Sequence, residues 1–240
     1  YLGSGSAGHY VKMVHNGIEY GIMQLISETY HVLKEIGGLS NDELHETFST
    51  WNKGILQSFL IEITADIFTQ KDDLTSNHLI DMIVDGARQK GTGKWASQNA
   101  MDLVVPIPLI DAAVASRELS GFKEERVAAN EKLKGPENTN ILAKEELIQR
   151  LEQALYFSII TAYAQGMALL QHASKEYKYN LKLESVAKIW RGGCIIRAAL
   201  LESIMNAYEK QPDLANLMTD DFFANQLTNA QLSMHKIIQI

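Results

Sequence analysis

Four polar residues near the N-terminus are spaced so that they share one face of a helix. Lys12, His15, Asn16 and Glu19 stand at i, i+3, i+4 and i+7, which places them in line on a helix surface. A lysine and a glutamate that face one cavity are a base and an acid suited to proton transfer. An imidazole and an amide beside them would orient a polyhydroxy ligand. The spacing therefore predicts a site for acid–base chemistry on a hydroxylated molecule.

The same face also has a simpler interpretation, as an exposed surface on which Lys12 makes a contact that stabilises by a few tenths of a kcal/mol. Two features favour a site. The line of this face continues into Met23 and Ile26, and a helix that is apolar nearly all round is typically buried. Gly17 and Gly21 each cost a helix about 1 kcal/mol relative to alanine, which indicates close approach to the backbone. We therefore expect the polar face to line an internal cleft.

The elements that must position this face are all helical, so the predicted fold is all-α with a long central helix surrounded by others. That helix is expected over residues 8–36, about 40 Å long, ending at Gly37-Gly38. Residues 40–43 have the form of a capping box. A loop is expected at 135–140. Further helices are expected over residues 54–70, 77–88, 94–104, 108–133, 143–175, 182–209 and 219–238.

Two similar patterns hint at an internal duplication of a helical unit. Trp51 and Gly54 have the same spacing as Trp190 and Gly193. Each pair follows a helix and opens another in the predicted order. One short pattern can match by chance, so the duplication is a hypothesis.

Composition limits the classes of function. The 240 residues, 46% of them hydrophobic, suit one globular domain or a tightly fused pair. No apolar run reaches the roughly 18 residues of a membrane span, and no signal peptide is expected. The lone cysteine, Cys194, favours a reducing compartment and hence the cytoplasm. The formal charge of −7 argues against nucleic acid and acidic membranes as partners but not against a small anionic ligand. No metal site is predicted.

Two glycine motifs imitate nucleotide sites. Residues 3–8 fit the letters Gly-x-Gly-x-x-Gly, but that fingerprint needs a strand before it and a βαβ unit around it. Gly93-Lys94 resembles the end of a P-loop, but Trp95 stands where Ser or Thr is required. We therefore predict no cofactor-binding residues here.

Four segments together are specific enough to indicate a family. The chain closely resembles 6-phosphogluconate dehydrogenases in these segments, in the family's order and spacing, over nearly its whole length. The broader β-hydroxyacid dehydrogenases share only the lysine and asparagine of the first segment. The segments are Gly5 to Gly21, Lys90-Gly91-Thr92-Gly93-Lys94-Trp95, Ala115-Ser116-Arg117 with residues 122–126, and Trp190 to Arg197.

The resemblance implies oxidative decarboxylation of 6-phosphogluconate to ribulose 5-phosphate, with NADP as the hydride acceptor. By this resemblance Lys12 takes the proton of the 3-hydroxyl as hydride leaves carbon 3, and Glu19 protonates carbon 1 after carbon dioxide is lost. The remaining site residues would bind substrate hydroxyls (His15 and Asn16) and phosphate (Tyr20, Lys90, Thr92 and Arg117).

The resemblance further implies that residues 1–240 are the helical substrate-binding and dimerisation domain of a homodimer. The family's N-terminal Rossmann domain and its C-terminal tail lie outside the sequence, so we expect the chain alone to lack dehydrogenase activity. Two alternatives stay open: the helical domain of another β-hydroxyacid dehydrogenase, and a dimerisation scaffold without retained chemistry. A phosphate pocket around Lys90 and Arg117 would separate the first of these from the main interpretation.

Overall fold

The computed structural model describes residues 1–133, 135 and 142–240. Within them the chain forms helices and two isolated β-bridges, Ser58 with Ala198 and Lys71 with His78, so the all-α prediction is confirmed. The loop predicted at 135–140 lies almost entirely outside the described residues. The α-helices are α1 (Ala7–His31), α2 (Asn41–Trp51), α3 (Phe59–Ile67), α4 (Thr92–Asp102), α5 (Pro108–Ser120), α6 (Lys123–Lys132), α7 (Lys144–Glu176), α8 (Leu183–Trp190), α9 (Leu200–Lys210) and α10 (Asp221–Ile238).

Two long helices form the centre of the fold: the predicted central helix α1, and α7, which was predicted as a helix over 143–175 but not as a central one. α1 and α7 pack along each other, with α4 and α5 against α1 and with α10 against α7. α1 and α7 come very close at Gly166 of α7, where a Cβ would lie 2.4 Å from the Ile18 side chain of α1. Because Ile18 is fully buried, only a residue without a side chain lets the two helices come this close.

The first helix begins and ends near its predicted limits. After α1 the chain continues as a short π-helical turn, Val32–Ile36, closed by a bond from the Leu39 N–H to the Leu33 carbonyl. Gly38 takes the left-handed conformation, φ +64°, which glycine adopts without strain. The predicted capping box that opens α2 is present between Ser40 and Glu43.

Four predicted helices are shorter or divided. Residues 54–56 form a turn, and α3 begins only at Phe59, where Ser58 caps it by accepting from the Ile61 N–H. The helix predicted over 77–88 is wrong: a single 3₁₀ turn forms at Leu79–Asp81, and residues 82–84 are exposed, so burial does not favour a longer helix. The prediction over 108–133 divides at residues 121–122 into α5 and α6, where Arg126 donates to the Ser120 carbonyl, 3.0 Å.

The prediction over 182–209 divides into α8 and α9, and the turn between them approaches the polar face of α1. Gly193 is left-handed there, φ +69°. The buried Tyr163 hydroxyl of α7 donates to the Ile196 carbonyl, 2.7 Å, which fixes the turn to the core. The Ser58–Ala198 bridge joins this turn to the one that follows Trp51, but internal duplication stays a prediction.

No helix in the described part of the chain combines the length and the apolar character needed to cross a membrane.

Candidate functional site

The polar face of α1 has one enclosed residue and one exposed end. His15 is 1% exposed, Asn16 and Glu19 are half-buried, and Lys12 is exposed. His15 is therefore enclosed by the fold while Lys12 is open to solvent, and the cleft expected along this face stays a prediction. The three neighbours converge on His15 Nδ1, which lies 3.2 Å from Lys12 Nζ, 3.1 Å from Asn16 Oδ1 and 3.7 Å from Glu19 Oε2.

His15 is neutral at physiological pH. Burial, and after it the positive charge of Lys12, lower its pKa to about 4, against the opposing effect of the hydrogen bond with Asn16. A neutral imidazole keeps one nitrogen as a donor and the other as an acceptor. Its Nε2 atom is buried and has no hydrogen-bond partner among the described residues.

Glu19 is the carboxyl of the group, and its pKa lies above that of a free glutamate. Burial raises its pKa, while the positive charges of Lys12 and Arg117 act in the opposite direction. Its side chain is 18% exposed, so a small ligand at the surface can reach it. A carboxyl with these properties can serve as a general acid.

Arg117 of α5 joins the face through Tyr20, the next residue along α1. The guanidinium carbon of Arg117 lies 3.8 Å from the centre of the Tyr20 ring, which is a cation–π contact. The ring packs against Ala113 and Val114. On another side it covers Gly93 of α4, where a Cβ would lie 2.5 Å from the ring. The absence of a side chain at 93 therefore allows the ring to sit under Arg117.

The start of α4 lies beside this stack and carries the other two predicted phosphate ligands. Gly91 is left-handed, φ +95°, and no side chain caps the first turn that Thr92 opens. Such a turn offers unpaired N–H groups to an anion. Lys90 is exposed, two residues after Arg88, whose carbonyl accepts from Arg117 at 3.5 Å. The structure thus brings Tyr20 and Arg117 together, places Thr92 next to the Gly93 that the Tyr20 ring covers, and leaves Lys90 exposed.

Two residues that were not predicted at the site lie beside it. They are Trp190, the last residue of α8, and Cys194 in the turn that follows. The Trp190 ring meets the His15 ring edge-on, with centroids 5.7 Å apart. The Cys194 thiol donates to the Trp190 carbonyl, 3.1 Å. Burial raises the pKa of this thiol, and the charge of Lys12 acts against that rise. The segment from Trp190 to Arg197 carries the family resemblance, but nothing in its spacing indicates that Trp190 contacts His15, 175 positions earlier.

The arrangement brings an amine, a neutral imidazole, an amide and a protonatable carboxyl to one side of α1. A cation stacked on an aromatic ring and an uncapped helix start lie next to them. The first group suits proton transfer on a hydroxylated carbon chain. The second suits an anion such as phosphate.

Comparison with known proteins identifies relatives over the whole chain. Residues 8–240 match the sequence profile described as 6-phosphogluconate dehydrogenase, C-terminal domain. A Bacillus subtilis protein named 6-phosphogluconate dehydrogenase, NADP(+)-dependent, decarboxylating is 55% identical over 100% of this chain and 51% of its own. A rice protein named 6-phosphogluconate dehydrogenase, decarboxylating 1 is 51% identical over 99% of this chain and 50% of its own.

A solved structure has the same fold. The Plasmodium falciparum 6-phosphogluconate dehydrogenase, studied in its apo form, with NADP+ and with 6-phosphogluconate, superposes with a TM-score of 0.95 at 46% identity. The alignment covers 99% of this chain and 51% of the Plasmodium chain. The chain therefore spans about half the length of the relatives it matches.

Proposed function

The chain belongs to the 6-phosphogluconate dehydrogenase family, and from this premise we propose that it supplies the substrate-binding and catalytic residues of an enzyme that converts 6-phosphogluconate into ribulose 5-phosphate. One observation carries the proposal. Proton-transfer groups surround His15 on one side of α1, and Arg117 stacks on Tyr20, the next residue after Glu19 on the same helix. Relatives 51–55% identical and named as decarboxylating dehydrogenases support it.

Lys12 is the proposed base of the oxidation step. Its amine would take the proton of the substrate's 3-hydroxyl while hydride leaves carbon 3. Its exposed position lets it reach a bound ligand, and His15 Nδ1 at 3.2 Å provides an uncharged partner that directs the amine. His15 and Asn16 would bind the neighbouring hydroxyls.

Glu19 is the proposed acid of the last step. The β-keto acid formed by oxidation loses carbon dioxide and leaves an enediol, whose carbon 1 must gain a proton. Burial raises the pKa of Glu19, which makes its carboxyl a better-matched proton donor than a free glutamate. Because Lys12 and Glu19 stand on the same face of α1, both reach one substrate without a change of fold.

Tyr20, Lys90, Thr92 and Arg117 are the proposed phosphate ligands. Arg117 offers a guanidinium that pairs with phosphate oxygens in a fixed geometry, and the Tyr20 ring holds that guanidinium in place. The first turn of α4 adds backbone N–H groups. Thr92 stands in that turn, and Lys90 adds charge at the rim.

NADP is the proposed oxidant, as in the name of the Bacillus relative. When bound, NADP supplies the acceptor for the hydride that leaves carbon 3. The described residues are helical and contain no strand–turn–helix unit of the kind that binds a dinucleotide. We therefore assign none of them to hold NADP.

A homodimer working in the cytoplasm is the proposed state of the protein. Apolar side chains exposed on α10, Leu232 at 62% and Ile238 at 71%, support association because contact would remove them from water. The free thiol of Cys194 supports a reducing compartment. Analytical ultracentrifugation at high micromolar concentration should show a dimer, and a monomer alone would contradict this part of the proposal.

A paired titration tests the substrate. The chain and its Arg117→Ala variant would be titrated with 6-phosphogluconate and with gluconate, following amide shifts by NMR. Loss of a charged hydrogen bond worth roughly 2 kcal/mol should weaken 6-phosphogluconate binding about 30-fold and leave gluconate nearly unchanged. Arg150→Ala on α7, where Arg150 pairs with Glu146, is the control and should alter neither affinity. Equal weakening of both ligands by Arg117→Ala would remove Arg117 from the phosphate site.

A further inference from the structure

His15 is the most enclosed side chain of the proton-transfer group, and much of its enclosure comes from outside α1. It is 1% exposed, whereas the side chain of Glu19 on the next turn is 18% exposed. The aromatic wall beside it is Trp190, the last residue of α8, itself 4% exposed. The two rings meet edge-on at 5.7 Å and 73°.

The turn that carries Trp190 is fixed at two points. The Cys194 thiol donates to the Trp190 carbonyl, and the Tyr163 hydroxyl of the central helix α7 donates to the Ile196 carbonyl. The Cys194 bond closes the turn on itself, and the buried Tyr163 bond ties the turn to α7, so the turn cannot leave α7 without breaking a buried hydrogen bond. The position of the Trp190 ring is therefore set by the core.

The two nitrogens of the His15 ring have different surroundings. Nδ1 faces Lys12, Asn16 and Glu19, while Nε2 is buried without a hydrogen-bond partner in the described parts of the chain. Two groups on other elements act on these neighbours: Arg117 of α5 acts on Glu19, and Cys194 interacts with Lys12. An apolar wall that excludes water from the ring keeps this arrangement from collapsing into a hydrated, protonated imidazole.

We propose that Trp190 is a positioning residue of the site: it excludes water from His15 and holds the ring so that Nδ1 faces Lys12. Its importance for turnover rests on the proposed function, because Lys12 is the base of that reaction. Its effect on His15 does not depend on any substrate. The low pKa of His15, about 4, is consistent with this enclosure.

The test follows His15 by NMR in the 240-residue chain without ligand. Imidazole resonances would be recorded from pH 8 to pH 4, with His15 assigned by their loss in His15→Gln. Trp190→Leu should admit water and raise the pKa of His15 by about 1–2 units towards its ordinary value. Trp190→Phe, which keeps a smaller aromatic wall, should raise it less.

Trp51 provides a matched control because it is the last residue of α2, as Trp190 is the last residue of α8. It is 2% exposed and packs on Phe48, ring centroids 5.0 Å apart. Trp51→Leu and Trp51→Phe should lower thermal stability about as much as the Trp190 variants, because similar apolar volume is removed. The Trp51 variants should leave the pKa of His15 unchanged. A general loosening of the core would shift this pKa in the Trp51 variants as well.

The outcomes separate the two proposals. An upward shift at His15 in the Trp190 variants alone supports the positioning role, even if 6-phosphogluconate does not bind and the proposed function fails. An unchanged titration in both Trp190 variants, or equal shifts from Trp51 and Trp190, would overturn it. If Trp190→Leu does not fold, Trp190→Phe against Trp51→Phe decides by the same criterion.

Discussion

The two long helices α1 and α7 lie against each other, yet they differ in the side chains that they bury. The buried polar groups of α7 are Ser158, Gln171 and the hydroxyls of Tyr156 and Tyr163, whose pKa burial raises, and its other buried positions are apolar apart from one glycine. α1 buries His15 in its middle, and three polar neighbours converge on the ring. One helix is a scaffold, and the other presents reactive groups on that scaffold.

A pair of glutamates makes the difference clear. Burial raises the pKa of Glu152 on α7 as it raises the pKa of Glu19 on α1. For Glu152 burial is the one cause, whereas Lys12 and Arg117 act on Glu19. A shifted pKa therefore does not by itself mark a site, and the convergence of opposite charges from other elements does.

The largest expected effect is that of Lys12→Met in a full-length enzyme that carries this domain. Removing the base should reduce turnover by about 10⁴-fold, the upper end for one acid–base group, without lowering the melting temperature, because Lys12 is exposed. Lys175→Met, an exposed lysine in the last turn of α7, is the control and should retain full turnover. Near wild-type turnover in Lys12→Met would exclude Lys12 as the base.

The next effect separates the two glutamates. Glu19→Gln should reduce turnover about 10²- to 10³-fold, and Glu152→Gln should not. Both carboxyls have a folded pKa above the unfolded one, so each contributes stability at low pH that is lost as pH rises through the folded pKa. Both glutamine variants should therefore gain melting temperature relative to the wild type at pH 7–8 and lose that gain in acid. Turnover unaffected by Glu19→Gln would remove its role as the acid.

A smaller effect, on stability, is expected where α7 meets α1. Gly166→Ala places a Cβ 2.4 Å from the buried Ile18 side chain, and such overpacking costs about 1–3 kcal/mol, seen as a drop of several degrees in the melting temperature. Gly8→Ala in the first turn of α1, where a Cβ meets no atom within 4 Å, should have no such cost. A stable Gly166→Ala would contradict the close helix approach.

The smallest effect is expected from Tyr163→Phe on α7. Losing the hydroxyl that donates to the Ile196 carbonyl should lower the free energy of unfolding by about 1–2 kcal/mol in chemical denaturation. Because the hydroxyl touches no predicted ligand-binding residue, 6-phosphogluconate affinity should change little. A large loss of affinity would mean that the turn after α8 controls substrate binding more strongly than its contact with His15 suggests.

Local signals in the sequence were enough for some of the fold. The Ser40 capping box, the glycine end of the first helix and the limits of α7 depend on neighbouring residues, and they were predicted correctly. The helix over 77–88 was not, because its fate depends on whether Met82 and Ile83 find a surface to pack against. Long-range burial of this kind leaves no local pattern.

The candidate site could likewise be predicted from the sequence only in part. The line from Lys12 to Glu19 follows from helical spacing, and the resemblance to a family added the residues on α4 and α5. The stacking of Arg117 on Tyr20 was not visible in the sequence, because it depends on the packing of α4 and α5 against α1. Trp190 was missed as a neighbour of His15 for the same reason.

A crystal structure of the chain with 6-phosphogluconate tests the central claim most directly. The account predicts electron density for the ligand along the face from Lys12 to Glu19, with its phosphate beside Arg117 and the start of α4. The carboxyl end would lie within reach of Glu19 and Lys12. Density in the apolar groove that α10 forms with α1 and α7, with none on the polar face of α1, would contradict the account.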